Sequence, residues 1–263
     1  MITPFAAKQF LLKRISGWRV QTIINDKSFP KRLASGLMLL YEDRDIIVLD
    51  KPAGLLTIAS ANHRGKNVYG ILCEYYRKRG GGGGSPAVVH RLDRDTSGVI
   101  IFARSGRIKK KLMDNWDKAV KDRLYICVAE GELTGEEGVI DFPLGEDASG
   151  RVIVNTDGKP AVTQWKLLRK GNGFSMLQLE LITGRRNQIR AHLYALGHPV
   201  AGDKKYWAKT DPLKRLCLHA EKISFYHPKD KTLMEFESPF PSGFSRLCGD
   251  AREVPGYAAK AVR

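Results

Sequence analysis

A chain of 263 residues can bury one large core or two small ones. Its 43% hydrophobic and 27% charged content is ordinary for a soluble globular protein, and no apolar run exceeds six residues, against the ~20 that a membrane span needs. The charge is not ordinary: 44 Lys+Arg against 28 Asp+Glu give +16, which favours a polyanionic partner, most simply nucleic acid, bound in a salt-sensitive way.

The N-terminal MITPFAAKQFLLKR breaks its apolar stretch with Lys8 and has no signal-peptide core, so a cytoplasmic location is expected. Residues 1–36 form a basic extension in which Lys8, Lys13, Arg14, Arg19, Lys27, Lys31 and Arg32 face Asp26 alone. Ile46–Leu49 reads as a short buried strand, turned outward by Lys51-Pro52-Ala53-Gly54. Asn67–Arg79 has the apolar spacing of a helix and ends in Arg77-Lys78-Arg79 before the glycine run Gly80–Gly84. That run has no Lys in phosphate-binding register and no helix start behind it, so it reads as a connector.

Val99–Ala103 is apolar on both alternating faces, as a strand covered on both sides should be. A basic helical stretch with Arg107, Lys109, Lys110 and Lys111 follows, then strands at Arg123–Glu130, Ala161–Leu168, Phe174–Ile182 and Leu216–Phe225. Gln188–Leu196 fits a short helix with Ile189, Leu193 and Leu196 turned inward and Gly197 at the C′ position. Arg186, Arg190 and Tyr194 then share another face, at successive i+4 steps, as a candidate anion site. The order is mixed rather than a regular βαβ alternation, so an α+β fold around a large mixed or antiparallel sheet flanked by helices is expected.

Cys73, Cys127, Cys217 and Cys248 lie far apart with no CxxC pair, which speaks against zinc ligation and a disulfide framework. The chemistry-bearing stretch is His90–Gly98, HRLDRDTSG, poised at the mouth of the buried strand. A carboxylate held there could act as a nucleophile. Alternatively Asp93 and Asp95 only cap a turn and pair with Arg91 and Arg94, and this segment alone favours that plainer reading.

Further segments change the balance. HRLDRDTSGVIIFA, DKPAGLLT near Asp50, RLYICVAEG from Arg123, GRRNQIRAHLYALGHPVAGDKKY from Gly184 and RLCLHAEKISFYHP from Arg215 together resemble RNA pseudouridine synthases of the RluA type. The resemblance covers about residues 37–245, with the segments in the family's order. It implies a catalytic domain over 37–245 with the pseudouridine synthase fold, a tail over 246–263 and no room for an S4 domain. The family's usual GRTHQIR is here GRRNQIR, with Arg186-Asn187 in place of Thr-His.

The reaction implied is isomerisation of uridine in ribosomal or transfer RNA, with no metal, redox or nucleotide cofactor. By the same resemblance Asp93 is the catalytic aspartate, attacking either the base at C6 or the sugar at C1′. Arg190 would hold that carboxylate ionised. Tyr125 would stack on the uracil and assist proton removal from C5, while Arg91, Arg186 and Leu218 would contact substrate. A monomer is expected. The competing reading is a protein of this fold that binds RNA without catalysis.

Overall fold

The computed structural model describes residues 30–59, 65–80 and 85–249. Most of the basic extension, the centre of the glycine run and most of the C-terminal tail lie outside the described residues. Four strands and a helix begin the chain: β1 (Lys31–Arg32), β2 (Met38–Glu42), β3 (Ile46–Lys51), α1 (Val68–Lys78) and β4 (Ala87–Val88). Next come β5 (Ser97–Ala103), α2 (Gly106–Met113), α3 (Trp116–Ala119), β6 (Val120–Glu130) and β7 (Glu137–Asp141). A hairpin of β8 (Leu144–Glu146) and β9 (Val152–Val154) precedes β10 (Val162–Gly171), β11 (Phe174–Leu181) and α4 (Gln188–Ala195). β12 (Leu218–Tyr226), β13 (Leu233–Glu237) and α5 (Gly243–Leu247) close the fold.

Among the described residues, eleven strands make one mixed sheet whose main path runs β1-β2-β3-β5-β12-β6-β11-β10-β7. The α+β architecture expected from the sequence is therefore observed. Most pairings are antiparallel, but β5 and β12 run parallel at the centre, with His219 beside Ser97 and Ala220 beside Gly98. Every residue of β5 is buried, as its apolar stretch Val99–Ala103 requires. One core cluster, including Leu49, Leu72 and Ile100, lies under α1; another, including Ile108, Ile101 and Phe225, lies under α2. Among the described residues, no helix is long and apolar enough to cross a membrane.

Asn67 caps α1 by accepting from the Gly70 N–H at 2.9 Å, and Ser105 caps α2 through Ile108. In α4, Ile189 and Leu193 are buried as expected, but Leu196 lies just past the helix and is exposed. Gly197 has the positive φ of a C′ residue, so the chain turns away before Leu196 can face inward.

Gly98 decides how closely β5 can approach β12. Its φ is +114°, and a Cβ there would overlap the Ala220 carbonyl. Gly98→Ala is expected to destabilise the protein by about 2–3 kcal/mol through backbone strain and a parted parallel pair. Urea unfolding measures this directly.

Candidate active site

Asp93 sits in the loop that enters β5, and the backbone on both sides of it is tied down. Thr57 Oγ1 donates to the Leu92 carbonyl at 2.8 Å and accepts from the Leu92 N–H at 3.3 Å. The fully buried Lys51 donates to the Arg94 carbonyl at 2.9 Å, and to the carbonyls of Pro52 at 3.0 Å and Leu55 at 2.8 Å. Burial brings the Lys51 ammonium down to about 7, against the pull of Asp95 and Asp93. The KPAG turn thus fastens the loop that carries the aspartate. His90 Nε2 accepts from the Ile101 N–H at 3.0 Å, anchoring the start of the same loop.

The Asp93 carboxylate points at α4 rather than at its neighbours in sequence. Arg94 pairs with Asp95 at the surface, 3.0 Å apart, as the turn reading foresaw, but Asp93 takes no part. Its Oδ2 accepts from Arg190 Nη1 at 2.9 Å and from Asn187 Nδ2 at 2.6 Å. Among the described residues nothing donates to Oδ1, and the side chain remains 28% exposed. One oxygen is thus fixed and the other is available.

Arg190 is held in turn by Asp203, whose two oxygens accept from Nε at 2.6 Å and Nη2 at 2.7 Å. The Asp203 side chain is fully buried, and its Oδ1 also accepts from the Lys205 and Tyr206 N–H groups. Burial opposes the Arg190 charge, yet Asp203 and then Asp93 outweigh it and raise the guanidinium's pKa. The arginine is permanently charged between two acids, one buried and one facing the opening.

Tyr125 on β6 lies opposite Ala220 of β12, and Leu218 lies opposite Cys127. Directly paired residues share a sheet face, so Tyr125 and Leu218 are diagonal neighbours. Leu218 is buried in the core, whereas Tyr125 is partly exposed. Burial pushes the Tyr125 phenol up to about 12, with Arg123 pulling it down and Asp93 pushing it further up. At neutral pH it is a protonated hydrogen-bond donor with a flat apolar ring. Arg91 is exposed. Arg186 precedes α4 and turns aside, donating to the Gly150 carbonyl at 2.6 Å and pairing with Glu146 at 2.9 Å. The shared face of Arg186, Arg190 and Tyr194 is therefore not formed: Asn187 is left-handed at φ 52°, which ends the helix between Arg186 and Arg190.

Residues 45–195, spanning both Asp93 and Arg190, match the family described as RNA pseudouridylate synthase. This chain belongs to that family, in its RluA type. The synthase is an isomerase that converts uridine to pseudouridine in RNA. It is 34% identical to uncharacterized RNA pseudouridine synthase YlyB of Bacillus subtilis (strain 168), over 82% of this chain and 73% of that protein. It is 31% identical to ribosomal large subunit pseudouridine synthase D of Haemophilus influenzae, over 89% of this chain and 78% of that protein. In fold it matches the solved structure of Human RNA Pseudouridylate Synthase Domain Containing 1, with TM-score 0.65 and 22% identity over 83% of this chain and 89% of that one.

Four supporting residues of the synthase were not singled out by sequence reasoning: Lys51, Thr57, Asp203 and Lys205. All four stand in the motifs given above, so their types were visible. The partners of Lys51 and Asp203, a distant carbonyl and a distant guanidinium, were not.

The same region carries an acid-sensitive element. His219 Nδ1 meets Ser97 Oγ at 2.8 Å and its Nε2 meets the Ser238 carbonyl at 2.9 Å, beside the parallel strand pair. Burial holds the His219 imidazole down at about 4, and does the same for His90. A depressed folded-state value means the unfolded chain takes up more protons between the ordinary value near 6.5 and about 4. The synthase should therefore keep this stability above pH ~6.5 and lose it progressively as pH falls towards ~4. Urea unfolding at pH 7, 5.5 and 4.5 should show a falling free energy; a flat profile would mean these imidazoles are not buried neutral.

Proposed function

We propose that Asp93 is the nucleophile with which this synthase isomerises uridines of structured ribosomal RNA. One observation carries the reading: a carboxylate fixed through Oδ2 by Arg190 and Asn187, with no donor to Oδ1 among the described residues and its charge felt by the Tyr125 phenol. Covalent carboxylate catalysis divides one hard step into two. The C1′–N1 bond breaks, the uracil turns, and a C1′–C5 bond forms. The bond from Asp93 to C6 or C1′ forms and later breaks, the C5 proton passes to water and N1 takes one up, so atoms and electrons balance without a redox or nucleotide cofactor.

Each side chain has a role in this scheme. Arg190 keeps Asp93 ionised and aimed, and Tyr125 stacks on the extruded uracil as a neutral phenol. Arg91, exposed two residues before Asp93, contacts the RNA. Leu218 backs the ring of Tyr125, and Arg186 steadies the β8–β9 hairpin beside the cleft. The target uridine must leave its stack to reach Asp93, as in other enzymes that modify bases. Relatives named ribosomal large subunit pseudouridine synthase D, from Haemophilus influenzae and Nitrosomonas europaea, favour ribosomal over transfer RNA. The enzyme acts in the cytoplasm as a monomer.

The basic face of α2 plays a smaller part than its charge suggests. Arg107, Lys110 and Lys111 are exposed while Ile108 and Leu112 pack inward, but α2 follows the end of β5 remote from Asp93. Seven strand residues separate the two ends, roughly 20 Å of chain.

Mapping pseudouridines in total RNA from cells with and without the gene tests the assignment. Loss of one or more sites in ribosomal RNA, with transfer RNA unchanged, is the expected result. Loss confined to transfer RNA, or no loss, would overturn it.

A further inference from the structure

Beside Arg190 a line of aromatic rings leads from the buried core residue Tyr206 to two exposed ones, Tyr194 and Trp207, whose exposure neither the core nor the isomerisation accounts for. Arg190 Cζ lies 5.2 Å from the Tyr206 ring centre. Tyr206 is buried, and its Oη donates to the Val152 carbonyl at 2.7 Å, locking it against β9. From there the rings run outward: Tyr194 is 5.9 Å from Tyr206, and Trp207 is 5.3 Å from Tyr194. Tyr194 is 39% exposed and Trp207 is 53% exposed, although each is large and apolar.

Trp207 is held in this position against a backbone preference. Its φ is 52° and ψ 36°, the left-handed region that a bulky residue rarely occupies. Such strain persists where the surroundings enforce it, and it collects at ligand-binding sites. Arg151 packs on the ring, with its guanidinium carbon 3.7 Å from the Trp207 ring centre. Arg151 is itself fixed by Asp147 at 2.8 Å. The β8–β9 hairpin that carries it is tied to the start of α4 by Arg186. Lys204, Lys205 and Lys209 are exposed around the indole, and Lys205 Nζ reaches Asn187 Oδ1 at 3.3 Å, one residue from direct contact with Asp93.

We infer that Tyr194 and Trp207, braced by Arg151, form a stacking platform for an unpaired base of the substrate RNA, one or two nucleotides from the uridine at Asp93. This inference rests on the reading of Asp93 as the site where uridine reacts. Exposed aromatic faces ringed by cations bind single-stranded nucleic acid, the rings taking bases and the cations phosphates. The ring-to-ring spacings lead from Arg190 to Trp207 in about three steps, a span that one or two nucleotides cover. An RNA whose uridine has been drawn from its stack leaves neighbouring bases without partners, and these need a surface. The platform would make RNA choice depend on an unpaired base at one flank, with little preference for its identity.

Trp207→Gly is the natural test, because glycine removes the ring and also relieves the left-handed backbone, so the variant should fold. The probe is a 12-nucleotide single-stranded RNA with one central uridine. A companion set carries an abasic nucleotide at each of the two positions on either side. Wild-type protein should bind the intact RNA roughly 5- to 100-fold more tightly than one or more of the flank-abasic RNAs. Trp207→Gly should lose that preference, binding intact and abasic RNA alike, and Trp207→Phe should keep most of it. Three results would overturn the inference: no preference in the wild type, an unchanged preference in Trp207→Gly, or equal weakening of all RNAs by that substitution. The first would leave the exposed rings to another partner, such as a protein. Turnover plays no part in this readout, so a failure here is distinguishable from a failure of Asp93 as nucleophile.

Discussion

Asp93→Asn is expected to abolish pseudouridine formation while leaving the protein folded. Asparagine keeps an oxygen that can accept from Arg190, and Arg190 remains neutralised by the two-pronged contact with Asp203. The Asp93 side chain is also partly open to solvent, so stability should change by no more than ~1 kcal/mol. The anionic nucleophile, by contrast, is gone. Turnover per folded molecule should fall by more than the ~10²–10⁴ that general acid–base assistance supplies. RNA affinity should hold or rise, because a negative charge facing a polyanion has been removed. A carboxylate serving only as a turn residue would show the opposite pattern, with lost stability and retained turnover.

Asp203→Asn should produce the largest stability loss of any single charge substitution near the site. It leaves the Arg190 guanidinium, only 10% exposed, without its buried counter-ion. Removing one partner of such a pair costs about 3–5 kcal/mol, because the remaining charge is buried and uncompensated. Asp203 also accepts from the Lys205 and Tyr206 N–H groups, so the amide disturbs the turn beneath the aromatic platform. Asp95→Asn is the matched control: its partner Arg94 is 53% exposed, and the loss should stay below ~1 kcal/mol. Urea unfolding of both variants measures the contrast, and equal, small losses would show that the Arg190–Asp203 pair is not desolvated.

The elements legible in the sequence were those whose burial is complete or whose period is clean. The strand through Val99–Ala103 was readable because every residue in it is apolar, and α1 because its apolar positions repeat at helical spacing before a basic end. The β8–β9 hairpin escaped notice, since its strands are three residues long and its turn is polar. β2 and β13 escaped too, being half-buried strands whose mixed patterns resemble loops. At the site, pattern marked Asp93 and Arg190 as candidates, but their roles, and Tyr125 altogether, came from resemblance. The contacts that hold them depend on residues remote in sequence, as Lys51 shows by reaching Arg94 across 43 positions. Asn187 was visible as a departure from the family's usual residue. Its bond to Asp93 could be learned only from the fold.

Single-turnover release of tritium from [5-³H]uridine ribosomal RNA tests the central claim most directly, with wild-type and Asp93→Asn protein compared at equal folded concentration. Bond formation at C5 expels the label, so release reports the isomerisation itself. Wild-type protein should release it in one exponential phase, and the variant should release none above background while still retaining the RNA on a filter. Clear residual release by a well-folded Asp93→Asn protein would contradict the assignment of Asp93 as the nucleophile.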